Sequence, residues 1–380
     1  MPDINFEGFG DETQPITNHT IDLIVLNQQF EKIAIIDAYE SLLWTDRYNK
    51  PGDFEIYTPV EKFSDVLKYP VANNYLQIKD SEHAMIIEDT TIESNIETGN
   101  HIKIVGRSLE SILDRRIVWT QTDITGNLQN GIQRLLNEHI IQPTNADRAI
   151  SNFIFEASED PAITELTMES QYTGDNLLDI IQTLCENNKI GFKIVLNDNN
   201  QFVFSLYKGV DRSYNQNSNP YVVFKPSFEN IINSNYSDTQ SEAKTIALVA
   251  GEGEGDQRVT RVVGTGTGLL RKELFVDARD IRSDETSTEQ YYAKLDQRGV
   301  EKLNEHKIRK SFDGQCETTR MYRYKEAFFM GDIVQVANEY GMESPTRVTE
   351  FIWSSNQSGI ESYPTFEAIN DDEINNEEET

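Results

Sequence analysis

One stretch near the start limits what this chain can become: Leu-Leu-Trp-Thr-Asp-Arg-Tyr-Asn-Lys-Pro-Gly-Asp-Phe-Glu-Ile-Tyr-Thr-Pro, residues 42–59. Side chains alternate along a strand, so Leu42, Trp44, Asp46 and Tyr48 fall on one face of an extended segment, and Phe54 and Ile56 on one face of the next. Pro51-Gly52 makes the turn: proline holds the φ that position i+1 needs, and glycine takes the positive φ of a type II turn at i+2. Pro59 has no amide hydrogen for a ladder and ends the second strand. On these residues alone the stretch is a core hairpin of a β domain.

Short strands with turn residues between them continue on both sides of it. Residues 21–26 and 32–36 flank Asn27-Gln28-Gln29, and residues 85–92 and 101–105 flank Glu97-Thr98-Gly99-Asn100. Strands at this spacing predict a first barrel-like or sandwich domain over 19–107, after an N-terminal arm at 1–18. From Ser108 the period becomes helical: Leu109, Ile112 and Leu113 share a face, as do Leu128, Ile132, Leu135 and Leu136, and then Leu177, Leu178, Ile181, Leu184 and Cys185. With strands after Gly191 and from Phe202, residues 108–208 read as an α+β domain. Residues 209–370 read as a second barrel-like domain, with a helical insertion near 286–308 marked by the capping-box spacing of Ser287 and Gln290. Tyr292, Leu295, Gly299 and Leu303 mark the apolar face of that helix. Gly331-Asp332 before a strand echoes Gly52-Asp53, which hints at two related barrels, although Gly-Asp is common turn chemistry. An acidic, disordered tail is expected at 371–380. The expected class is α+β, mostly β, and 380 residues suit two to four domains rather than one core.

Several chemistries lack their residues. The glycine series Gly251-Glu252-Gly253-Glu254-Gly255 follows a strand, but the third glycine of a dinucleotide fingerprint is replaced by Asp256, and no Gly-Lys-Ser/Thr follows. It reads as a flexible loop that lines or gates something. The five histidines have no zinc-ligand spacing, and His139 and His306 fall at predicted helix ends, where they meet the helix dipole. Cys185 lies on a buried helical stripe as a small hydrophobe, and two distant cysteines make no disulfide framework. No cofactor or metal is expected. A carboxylate pair leaves no spacing in a sequence, so hydrolysis of a polysaccharide stays open as an alternative. Trp44, Trp119 and Trp353 could serve as sugar platforms, though aromatics at strand spacing more often pack cores and interfaces.

Sixty-four acidic residues against 34 Lys and Arg give a formal charge of -30, spread along the chain. Phosphate-held nucleic-acid binding needs clustered cations, so sequence-specific nucleic-acid recognition is not expected. The start of the chain has no apolar signal core, and no run of apolar residues is long enough to span a membrane.

Trp44-x-x-Arg47-Tyr48 followed by Pro51-Gly52-Asp53-Phe54-Glu55-Ile56-Tyr57-Thr58-Pro59 resembles the tail-tip, or baseplate hub, proteins of long-tailed phages and prophages of Gram-positive bacteria. Those proteins form the N-terminal, non-lytic part of tail-associated lysins. Gly106-Arg107-Ser108-Leu109-Glu110 with the residues on to Arg116, then Tyr172-Thr173-Gly174-Asp175-Asn176-Leu177, then Phe329-Met330-Gly331-Asp332-Ile333-Val334 are similar to the same family, in the same order. The resemblance runs from about Ile21 to Ile369. It implies a structural virion protein without enzymatic activity, assembled in the bacterial host cytoplasm and placed at the tail tip. The implied partners are two further copies in a homotrimer, the distal tail protein and tail tube ring, the tape measure protein, and receptor-binding or fibre proteins. In that reading Trp44, Arg47, Tyr48, Pro51, Gly52, Asp53, Phe54, Gly331 and Asp332 are structural motif positions, and residues 251–255 are a candidate channel loop on the path of DNA ejection. The alternatives are a peptidoglycan or polysaccharide hydrolase and a carbohydrate-binding adhesin of the tip.

Overall fold

A computed structural model describes residues 20–63, 68–95, 99–283, 287–316 and 321–369; the expected arm at 1–18 and acidic tail at 371–380 lie outside the described residues. The chain is mostly β. Thirteen strands form one sheet, eleven of them on a single path. From one end these are Ile231–Thr239, Arg309–Cys316, Gly359–Ala368, Glu343–Asn356, Ser41–Arg47, Asp53–Pro59, Gly99–Ser108, Ala84–Asn95, Tyr75–Gln77, Leu23–Leu26 and Lys32–Ile36. Val223–Phe224 joins through Ile333–Ala337, which pairs with Glu343–Asn356. Among the described residues no ladder joins the two ends of this path.

The two β regions expected from strand spacing therefore share one sheet. Their junction is the antiparallel pair of Ser41–Arg47 with Glu343–Asn356, in a register running from Ser41 opposite Asn356 to Arg47 opposite Glu350, with Trp44 facing Trp353 at its centre. Alternation in the hairpin places Leu42, Trp44, Phe54 and Ile56 inside, where they meet Phe224, Phe328, Phe351, Trp353 and Phe366 in one core. Burial on this scale contributes roughly 25 cal/mol per Å² of apolar surface, so the two halves stabilise each other through it.

A second core belongs to the α+β unit. Helices Leu128–Leu136 and Leu177–Asn187 pack with Phe153, Phe192, Phe204 and Leu206, and reach into the large sheet at Ala84 and Ile86. Asn127 and Asn176 cap the two helices. Cys185 lies wholly inside the second one.

Between Thr239 and Arg309, which face each other on adjacent strands, the chain leaves the large sheet and returns. The excursion holds a three-stranded sheet, Thr260–Gly264, Ile246–Ala250 and Glu273–Asp277, covered by helix Thr288–Glu305. The capping box at Ser287 and Gln290 is present. This is a core of its own rather than a helix added to the large sheet. Tyr291 rather than Tyr292 is the fully buried tyrosine, because a further face of the helix, bearing Lys294, Arg298 and Glu301, turns to the α+β unit.

Candidate functional site: the joint around Tyr48

Two of the sequence motifs meet at Tyr48, where Gly331 lies against its ring. Its ring is 1% exposed. Its N–H donates to Thr349 O (2.9 Å) in the last β region, while its own carbonyl accepts from Phe192 N (3.2 Å) in the α+β unit. The hydroxyl donates to Lys189 O (3.0 Å), and Tyr207 approaches edge-on with ring centroids 5.3 Å apart. Two glycines give the ring its space. A Cβ on Gly191 would stand 2.4 Å from Tyr48 Cε2, and one on Gly331 2.3 Å from it. Gly331 also has φ +87°, which side chains rarely adopt. The Arg347 guanidinium lies 5.7 Å from the ring centroid and donates to Gly331 O (2.9 Å). Burial pushes the Tyr48 hydroxyl up to about 12, so it stays a donor.

Asp332 ties down the next corner. One carboxylate oxygen accepts from Val210 N (2.8 Å), and the other from Phe329 N (2.9 Å) and Arg212 Nε (2.7 Å). Arg47 spans the junction of the two β regions: Nε donates to Glu350 (2.6 Å), and Nη1 to Pro51 O and Asp53, both at 2.9 Å.

The hairpin turn is a longer loop than the expected two-residue type II turn. Its strands end at Arg47 and restart at Asp53, and Gly52 is not at positive φ. Gly52 is needed for close approach instead: a Cβ there would sit 2.1 Å from Thr45 O. Its N–H donates to Ser108 Oγ (2.7 Å), and Ser108 N donates back to its carbonyl (2.9 Å), which joins the hairpin to the motif at 106–116. That motif meets the next, since Asn176 Nδ2 donates to Asp114 O (3.1 Å) and Leu177 N to Arg116 O (3.0 Å).

Beneath the joint lies a buried ionic network. Trp44 Nε1 donates to Asp46 (3.1 Å), which also accepts from Ser81 Oγ (2.8 and 2.9 Å). His83 Nδ1 stands 3.1 Å from Glu110 Oε1, and that oxygen accepts from Ile194 N (2.8 Å). Asp46 and Glu110 are each 1% exposed. Burial opposes a charge on His83, yet Asp46 and Glu110 outweigh it and push the imidazole up to about 9. Burial works against the Glu110 carboxylate too, but His83 and the Ile194 N–H hold it below its usual value. Asp46 stays raised because burial outweighs its partners. His83 and the role of Glu110 were missed in the sequence. The available signal was a glutamate beside the apolar positions Leu109, Ile112 and Leu113.

The candidate channel loop is elsewhere. Gly251 lies against the Tyr291 hydroxyl, Glu252 N donates to that oxygen (2.9 Å), and Gly253 to Gly255 form an exposed tip with φ +97° and +54° at the two glycines. Among the described residues no cluster of His, Cys, Asp and Glu suits a metal ion. Burial pushes both thiols up, which leaves Cys185 and Cys316 weak nucleophiles. Chemically, the joint residues hold backbone and one another, and so fix three parts of the chain.

The profile of the family described as Siphovirus ReqiPepy6 Gp37-like protein matches residues 22–366, which include every residue of this joint. The chain belongs to that family. Solved structures give the fold the same setting. A 43 kDa tail protein of prophage MuSo2 from Shewanella oneidensis aligns over 93% of this chain and 99% of its own, with a TM-score of 0.57 at 9% identity. The tail protein from Neisseria meningitidis MC58 aligns over 92% of this chain and 96% of its own (TM-score 0.53, 12% identity). Prophage tail protein gp18 from Listeria monocytogenes EGD-e aligns over 92% and 94% (TM-score 0.53, 12% identity). The family member described here thus has the fold of phage and prophage tail proteins. A comparison with curated protein sequences finds no match. No helix among the described residues is long and apolar enough to cross a membrane.

Proposed function

We propose that this chain is a structural component of the tail tip, a baseplate hub. Three copies form a ring that closes the tail tube, docks on the distal tail protein and becomes the conduit for DNA. The observation that carries this reading is the meeting of two hairpins. Ser41–Arg47 with Asp53–Pro59, and Glu343–Asn356 with Gly359–Ala368, join first strand to first strand, antiparallel, about the Trp44–Trp353 pair. An antiparallel pair relates its strands by a local two-fold, so each chain offers two β halves in similar settings. Three chains then offer six such units to a six-fold tube.

The Tyr48 joint suits this role because it locks both halves and the α+β unit into one body that can bear load. The charge suits it too. Three chains at -30 each carry -90, and acids on a channel wall repel phosphates over roughly a Debye length, ~8 Å at physiological salt. The loop at 251–255 narrows the channel in this reading. Light scattering of the purified chain, with particle images from the same peak, tests it. A trimer with a central hole is the expected result. A chain that stays monomeric both alone and with purified tail tubes overturns it.

A further inference from the structure

The small three-stranded sheet has one face that the described residues leave largely uncovered, with the Arg258 guanidinium 5.7 Å from the Phe275 ring centroid. Alternation gives Ala247, Val249, Val263 and Val276 to the side of helix Thr288–Glu305. The other side receives Leu248, Val262 and Phe275, aligned across the strands: Leu248 is opposite Val262 on one flank and opposite Phe275 on the other. They are 40%, 60% and 59% exposed, and Leu269, in the connection between the two flanking strands, is fully exposed. Contiguous apolar surface of this kind marks an interaction site.

Charge identifies the partner. Residues 257–282 carry six Lys or Arg against three acids, inside a chain of net -30; Arg258 and Arg261 are held by Asp277 and by Asp296 of the helix, and Arg271, Arg279 and Arg282 are exposed. Residues 149–188 carry eight acids and no Lys or Arg, and Glu156, Glu159, Asp160 and Glu165 among them are exposed. Within one molecule the two regions touch beside the helix, where Gln171 Nε2 donates to Asp280 O (2.9 Å) and Arg298 bonds both residues. The helix between them covers the sheet with Tyr291 and Leu295 and meets the α+β unit with Lys294 on Asp123, Arg298 on Gln171 O and Glu301 on Tyr172. The outer face of the sheet therefore points away from its own acidic segment.

We propose that this face docks on the acidic surface at 156–165 of a second copy of the chain, head to tail. Arg271 and Arg279 pair with Glu273 and Asp277 inside the sheet, but exposed pairs of this kind are worth little and can exchange partners. A contact between two different faces repeats around an axis, and it closes into a ring when its rotation divides the full circle. The inference rests on the ring reading above and names the two surfaces that would make it.

The test uses the full chain in four forms besides the wild type: Val262→Thr with Phe275→Thr; Arg271→Glu with Arg279→Glu and Arg282→Glu; Glu156→Lys with Glu159→Lys and Glu165→Lys; and both reversals combined. Mass is read by light scattering and folding by circular dichroism melts. The expected result is an assembled wild type, loss of assembly in the first three forms with melting retained, and recovery in the combined reversal. An assembled wild type whose first three variants assemble equally overturns this docking and leaves the ring intact, and points to another tail component or the chain's own N-terminal residues as the occupant. Loss without recovery in the combined form overturns the pairing of these two faces. A wild type that is monomeric at every concentration, with or without tubes, overturns the ring reading and the docking together.

Discussion

At Gly331 a methyl group has nowhere to go: it would meet the Tyr48 ring, and the backbone is already at φ +87°. Gly331→Ala is expected to destabilise the protein by roughly 3 kcal/mol, from strain and overpacking together. Tyr48→Phe keeps the packing and removes the hydrogen bond to Lys189 O, for a loss of about 1 kcal/mol. Urea midpoints of the two variants would give that order. His83 makes a prediction in pH. Its folded pKa, about 9, lies above the reference of 6.5, so its contribution is complete below 6.5 and is lost as pH rises through about 9. Comparison of wild type with His83→Gln should show a pH-dependent difference on the order of 3 kcal/mol at the acid end of that window, fading at the alkaline end. A difference that does not change across the window would remove the charge from the account. At this scale the sequence was partly legible. Tyr48 was singled out by its place in a motif, but its contacts with Lys189, Gly191, Gly331 and Arg347 join residues more than a hundred positions apart. At Gly52 the sequence argues for a positive φ, whereas in the fold the position needs a glycine for its close approach to Thr45 O.

Helices and hairpins are local objects, and periodicity sees local objects. The helix Leu177–Asn187 with Cys185 inside and the capping box at Ser287 were readable for that reason. Partners in a sheet are not local: alternation says which face of Ser41–Arg47 is buried, and nothing about Glu343–Asn356 being its neighbour. The charged face of helix Thr288–Glu305 was hidden in the same way. Lys294 is 2% exposed and pairs with Asp123 on a strand of the α+β unit. Asp123→Ala leaves that ammonium buried without its carboxylate. Because the Asp123 side chain is 40% exposed, water recovers part of the loss, and about 1–2 kcal/mol is expected. The loss should be confined to one element. Amide exchange should quicken in residues 288–305 and stay unchanged in the hairpin at 41–59; equal quickening in both would mean that the helix and the large sheet open together.

The largest unit of cooperation is set by which residues share a core. Strands from both ends of the chain bury their aromatics together, so the two β regions should unfold in one transition rather than as two barrels. The excursion that holds the small sheet has its own core of Ala247, Val249, Val276, Ala278, Ile281, Tyr291 and Leu295. It leaves and returns at one place: Thr239 pairs with Arg309, and Lys244 N donates to His306 O (2.8 Å). Replacing residues 241–307 by a short glycine-serine linker therefore asks the large sheet for nothing more than a tight connection between two strands already adjacent, and loop closure over so short a span adds little entropy. The surface it uncovers on the α+β unit includes Asp123, Ser170 and Gln171, which return to water, and Tyr172, which loses Glu301. The shortened chain should fold, keep the Tyr48 joint and melt in a single step near the main transition of the full chain. If the sheet face docks as proposed, the same chain should remain monomeric where the full chain assembles. A shortened chain that fails to fold would mean that the α+β unit depends on the helix it has lost, and that the seam at Lys294 and Glu301 belongs to the main body rather than to an attachment on it.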